Sequence, residues 1–138
     1  MLSPKKVKHK KWQRGDKIRG KATRMTRLSF GDYGLKSLQA GWISSRQIES
    51  ARRAITGHVQ RGAQVFIRIF PDKPITAKGS EMPMGKGKGA VDHYVAVVKP
   101  GTIMFEISGA NEAMAKRSLQ LAAYKLSVKS KIVSKELV

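Results

Sequence analysis

The sequence predicts an α+β fold, a two-layer sandwich of a mainly antiparallel sheet with two helices, carrying a basic N-terminal arm and a long basic loop. Three observations predict it. Two segments repeat apolar residues at helical spacing: Ile48, Ala51, Ile55 and Val59 in one, Ala115, Leu119, Ala122 and Leu126 in the other. Around them lie short runs rich in Val, Ile and Phe, bounded by Pro and Gly, which read as strands. The charge is also one-sided, with 28 Lys and Arg against 9 Asp and Glu, or +19 over 138 residues. That length suits a single domain burying roughly two-thirds of its unfolded surface. The expected organisation is a basic extension over residues 1–27 and one domain over residues 28–138.

The extension contains Lys5, Lys6, Lys8, Lys10, Lys11, Arg14, Lys17, Arg19, Lys21, Arg24 and Arg27 against the one acid Asp16, which is +10 of the total. Its few apolar residues show neither period, so free in solution it is expected to be largely disordered and to order on a polyanion, where phosphate neutralisation releases counterions. Trp12, among lysines, either stacks on an unpaired base or packs against the domain.

Residues 28–43 are expected to form a strand interrupted near Gly31 and Gly34. Ser44 followed by Gln47 is a capping-box pattern opening a helix whose apolar face is flanked by Arg46, Arg52 and Arg53, with Glu49 placed to pair with Arg53. Arginine's planar fork suits phosphate, which makes this helix a candidate RNA contact. Residues 63–70 alternate, Val65, Ile67 and Ile69 against Phe66, Arg68 and Phe70, and predict a strand ended by Pro71 and Pro74. Residues 71–90 then read as a loop of about twenty residues, long enough to suggest function. Residues 91–98, with Val91, His93, Val95 and Val97 on one face, and 103–107 are expected to pair as a hairpin through the turn at 99–102. The second helix has cap candidates at 108–111, and Ile132 and Val133 mark a last strand within 130–138.

The same residues narrow the function. So large a positive charge calls for nucleic acid. A membrane would need a basic amphipathic helix or an apolar run of about 18 residues, and the sequence has no such run. With no cysteine there is no disulfide, thiol catalysis or cysteine zinc site. The basic start lacks the apolar stretch of a secretory signal, so a cytoplasmic location is expected; an organelle-encoded protein would read the same. His9, His58 and His93 have no ligand spacing, and no metal or cofactor is expected. Acids are too few and scattered for general acid–base chemistry, Asp92 and Glu106 facing each other across the hairpin at most, so no enzyme is expected.

The loop contains Met84-Gly85-Lys86-Gly87-Lys88-Gly89. Alternating glycines let the backbone take positive φ and approach a ligand closely while two ammonium groups project. It lacks the glycine-lysine-serine/threonine ending of a nucleotide-binding loop, and a strand rather than a helix follows it. Met82 and Met84 at its start either anchor its base or rest on a base or ribose.

Together Met1-Leu2-Ser3-Pro4-Lys5, Ser45-Arg46-Gln47-Ile48-Glu49 with Ala51-Arg52-Arg53-Ala54, Phe70-Pro71-Asp72-Lys73-Pro74-Ile75-Thr76, the Met84–Gly89 loop and Val95-Ala96-Val97-Val98-Lys99-Pro100-Gly101 resemble the large-subunit ribosomal protein sixteen family of bacteria and organelles, in order from residue 1 to about 135. The resemblance implies a non-catalytic α+β protein bound to large-subunit rRNA near the peptidyl-transferase centre, beside neighbouring large-subunit proteins and monomeric within the ribosome. It implies rRNA contacts by the arm cations, Trp12, Arg46, Arg52, Arg53 and Lys73. Met82, Met84, Gly85, Lys86, Gly87, Lys88 and Gly89 would face A-site tRNA, with P-site contact left open, and late subunit assembly would depend on the protein. Two positions depart from the family pattern: Pro83 stands where many members have an arginine that some bacteria hydroxylate, and His93-Tyr94 replaces a usual tyrosine-tryptophan pair. A basic nucleic-acid chaperone outside the ribosome is the alternative reading, and an RNA-modifying enzyme a third.

Overall fold

The structure, a computed structural model, describes residues 1–15, 17–59 and 62–135. Asp16 and the last three residues of the expected final strand lie outside them. The chain forms β1 (Tyr33–Ser37), β2 (Gly41–Ser44), α1 (Ser45–His58), β3 (Gln64–Ile67), β4 (Lys73–Ala77), β5 (Ala90–Val98), β6 (Ile103–Ser108), α2 (Glu112–Ala123) and β7 (Ser130–Ser134). The strands make two sheets, one ordered β3-β6-β1-β7 and one ordered β2-β5-β4, with every pairing antiparallel.

Both helices start where the side chains dictate. At α1 the Ser44 Oγ accepts from the Gln47 N–H at 3.2 Å while the Gln47 side chain accepts from the Ser44 N–H at 2.9 Å, so two otherwise unpaired helix-start donors are satisfied. At α2, Asn111 Oδ1 accepts from the Met114 N–H at 2.8 Å. The helices pack on each other and close one core. Ile48, Ala51 and Ile55 of α1 and Ala115, Leu119 and Ala122 of α2 lie over Leu35, Phe105 and Ile107 of the first sheet and Ile43, Ala96 and Val98 of the second. Leu126, expected on the α2 face, packs on this core from just beyond the helix end, and Ser118 joins the buried face. Burying a side chain the size of Phe105 is worth about 1.5–3 kcal/mol, so the core rather than helix propensity carries these short elements.

Four expectations are corrected. The irregularity expected near Gly34 is a register shift between Leu35 and Lys36 in the pairing with β6, but the break in residues 28–43 falls at 38–40, between β1 and β2, and these strands belong to different sheets. Gly34 sits inside β1, because a Cβ there would lie 2.3 Å from a Leu28 methyl and 3.0 Å from the Phe105 carbonyl oxygen; it makes room for the chain that crosses it. The strand expected over 63–70 ends at Ile67, although the Arg68 N–H still donates to the Met104 carbonyl at 2.9 Å. The loop expected over 71–90 contracts to 78–89, since 73–77 is β4. Pro74 fits there because β4 is an edge strand, where a missing donor need not leave a gap in the ladder.

Most consequentially, β5 and β6 are not a hairpin. The turn holds, with Thr102 N–H donating to the Lys99 carbonyl at 3.2 Å and Gly101 at φ 98°. It carries the chain from one sheet to the other: β5 pairs with β2 and β4, β6 with β1 and β3. On β5 the core face is accordingly Ala96 and Val98, paired near Ile43. Val95 and Val97 share the opposite face with Trp42 and Lys73.

Candidate nucleic-acid interface

The glycine-lysine stretch closes the β4–β5 hairpin. Gly85, Lys86 and Gly87 take φ of 88°, 61° and 103°, three consecutive left-handed residues that curl the tip. A Cβ at Gly85 or Gly87 would meet nothing within 4 Å, so those glycines serve conformation. Gly89 serves space, because its Cβ would lie 2.8 Å from the Ala77 carbonyl oxygen where the loop closes on β4. Lys78 crosses the loop inside and donates to the carbonyls of Gly85 and, at 3.4 Å, Pro83. Met82 and Met84 are exposed, Met84 by 95%.

The two lysines of the tip differ. Lys86 points to solvent, whereas the Lys88 ammonium donates to the Trp12 carbonyl and the Lys88 carbonyl accepts from Lys11 Nζ at 3.2 Å. The loop is thus clasped to the arm. Lys73 continues the clasp: only 5% exposed, it donates to the carbonyls of Arg14 and, at 3.2 Å, Gly15, and its ammonium sits 4.6 Å from the Trp42 ring centre. Lys73, expected as an rRNA contact, is turned inward, and its observed work is to hold the arm. Trp12 is 41% exposed and borders, with Arg14, Trp42 and Lys88, a groove between arm and β4.

Residues 1–27 contain no helix or strand among those described, yet they are fastened along the domain. Leu2 packs on the core, the Ala22 N–H donates to the Pro100 carbonyl at 2.9 Å, and the Met25 carbonyl accepts from the Ile103 N–H at 2.7 Å. At the arm's junction with the domain, Ser29, Phe30 and Gly31 donate their N–H groups to one oxygen of Glu106 at 2.8, 3.1 and 3.2 Å, and Arg68 donates to the other. Glu106 is fully buried. Burial pushes its carboxyl pKa up, but the Arg68 hydrogen bond and the three backbone donors outweigh this and hold it below the ordinary carboxylate value. It therefore does not face Asp92, which lies instead 2.7 Å from His93 Nδ1. A lone acid within the apolar run Ile103-Met104-Phe105-Glu106-Ile107 was the signal for a buried, partnered carboxylate. Along this tethered path Lys5, Lys6, Lys8, Lys10, Lys11, Arg14, Lys17, Arg19, Lys21, Arg24 and Arg27 are all exposed.

On α1, Arg46 and Arg53 are exposed and Arg52 half-buried. Glu49 accepts from Arg52 at 2.6 and 3.0 Å as well as from the expected partner Arg53 at 3.2 Å. The Arg52 hydrogen bond chiefly draws the Glu49 pKa down to about 2, so this acid stays ionised and holds the two guanidinium groups side by side. Among the described residues no three His, Cys, Asp or Glu gather to hold a metal ion, and no helix is long and apolar enough to cross a membrane.

Residues 4–133 match the family described as Ribosomal protein L16p/L10e. The chain is similar to proteins named large ribosomal subunit protein uL16c: 57% identical over 135 residues to that of Trieres chinensis, covering 98% of each chain, and 57% over 133 residues to that of Thalassiosira pseudonana, covering 96% of each. A third, from Phaeodactylum tricornutum, is 56% identical over 136 residues, 99% of this chain and 98% of its own.

Proposed function

This chain belongs to the Ribosomal protein L16p/L10e family, a family of ribosomal proteins and not of enzymes, and from that premise we propose that it is a structural component of the large ribosomal subunit of a plastid. The observation that carries the reading is the near-complete likeness to uL16c proteins. Their chloroplast origin favours the organelle over the cytoplasm.

Within the subunit, the exposed arm cations with Arg46 and Arg53, and the half-buried, Glu49-paired Arg52 beside them, neutralise rRNA phosphates, which fixes position rather than reading sequence. The glycine-lysine tip, with Lys86 foremost and Met82 and Met84 at its start, reaches towards A-site tRNA near the peptidyl-transferase centre. Lys73 and Lys88 act one step back, holding the arm against the loop so that both meet RNA as one surface. Neighbouring large-subunit proteins complete the setting and the chain stays monomeric there.

The test is sedimentation of plastid ribosomes in a high-salt gradient. The protein is expected with the large subunit; recovery in the light fractions would mark it as a chaperone that washes off. A chain lacking residues 1–27 is expected to be incorporated less, and wild-type incorporation would show that the arm is dispensable.

A further inference from the structure

Phe30 is 62% exposed although its main chain is held at every step. Its N–H and those of both neighbours end on the buried Glu106 carboxylate. Next to it a Cβ on residue 31 would lie 2.6 Å from the Ile107 carbonyl oxygen, so only glycine lets the chain press this close to β6. The ring is stacked on Phe66, with centroids 5.4 Å apart and planes at 28°, and the Arg68 guanidinium carbon is 5.1 Å from its centroid. Phe66 and Arg68 are two residues apart on one strand direction, hence on the same side of the sheet. Phe66 and Arg68 both contact the ring, and at 62% exposure much of it stays open to water. Arg68 is itself fixed by Glu106.

A single exposed apolar side chain is ordinary; one whose backbone and flanking guanidinium are both anchored to one buried carboxylate, with a second ring stacked on it, is a prepared flat surface. The adjoining arm brings Arg24 and Arg27, both exposed, and the whole chain carries +19. A fixed aromatic face beside cations complements a base with its phosphates better than it complements an apolar protein side chain. We infer that Phe30, backed by Phe66 and Arg68, is a stacking platform for one unpaired RNA base, with Arg24 and Arg27 supplying charge for that nucleotide's backbone. The inference rests on the reading above that the partner is rRNA.

The test isolates large subunits, verifies by sedimentation that they contain the protein, irradiates them at short ultraviolet wavelength and maps nucleotide adducts on tryptic peptides. An adduct on Phe30, within the peptide 28–36, is expected. In a rebinding assay with large subunits stripped of this protein, Phe30→Leu keeps an apolar side chain on Phe66 but removes the π face. It is expected to bind about tenfold more weakly, with Phe30→Tyr close to wild type. Absence of the protein from the subunits would overturn the ribosomal reading itself. Subunits that hold it and show adducts on arm peptides but none on 28–36, or Phe30 crosslinked to another protein, would overturn the platform alone. If Phe30→Leu fails to fold, the wild-type adduct map still decides.

Discussion

Two of the fastenings along the arm and its junction with the domain use opposite chemistry. At the junction, residues 29–31, the backbone donates, three N–H groups converging on the carboxylate of Glu106. At residues 12–15 the arm's backbone accepts, the carbonyls of Trp12, Arg14 and Gly15 taking hydrogen bonds from Lys88 and Lys73. The first fastening lies inside the protein, with Glu106 fully buried and Arg68 at 13% side-chain exposure; the second grades from a buried Lys73 to an exposed Lys88. A buried charge stripped of its partner cannot recover its loss from water, whereas an exposed ammonium can exchange a carbonyl for a water or a phosphate at little cost. The difference assigns the two fastenings different lives: the Glu106 one belongs to the folded core, and the Lys88 one is open to exchange.

Substitutions should sharpen or break this contrast. The largest effect is expected from Arg68→Met, which leaves Glu106 buried without its cation and should lower unfolding stability by about 3–5 kcal/mol in urea; a loss under about 1 kcal/mol would erase the distinction. Lys73→Met keeps the stem against Trp42 but removes the ammonium, and about 1–2 kcal/mol should be lost together with faster trypsin cleavage after Arg14. An unchanged cleavage rate would mean that the arm is held elsewhere.

Acid should act on the first fastening. The Glu106 pKa lies below its ordinary 4.5 in the folded state, so its stabilisation is complete above that value and is lost as pH falls through the lowered one. Between pH 5 and pH 3 the urea midpoint of the wild type should therefore fall more steeply than that of Glu106→Gln; parallel slopes would contradict this. The smallest effects on stability belong to the loop: Lys86→Ala and Lys88→Ala should leave the urea midpoint unmoved. They should separate in function. Lys86→Ala should weaken A-site tRNA accommodation in fully occupied subunits, while Lys88→Ala should also make the arm more susceptible to trypsin. Normal tRNA binding by the Lys86→Ala subunits would remove the loop from that role.

The sequence showed what depends on local pattern. The helices, their caps at Ser44 and Asn111, and the turns at 99–102 and 85–87 could be read because a few adjacent residues determine them. Pairing could not. The same Lys-Pro-Gly-Thr turn serves a hairpin or a crossing between sheets, and nothing near it says that β5 turns to β2 and β4. Pro74 read as a strand breaker because its place on an edge is a tertiary fact. The site divides the same way. Composition and the glycine-lysine alternation located the arm and the loop. Which cations face outward depends on contacts between residues 59 or 76 apart, such as Lys73 with Arg14 and Lys88 with Trp12, and so Lys73 read as an RNA contact. Charge written in the sequence is not all charge free at the surface: Lys73 is buried against the arm's carbonyls, and Lys78 and Lys88 donate to backbone carbonyls in the folded chain.

Pro74 has one more consequence. It occupies β4, which ends its sheet among the described residues, and its ring removes one backbone N–H from that edge strand. A sheet border interrupted at its second residue is a poor template for edge-to-edge pairing between free copies of the chain, which disfavours aggregation.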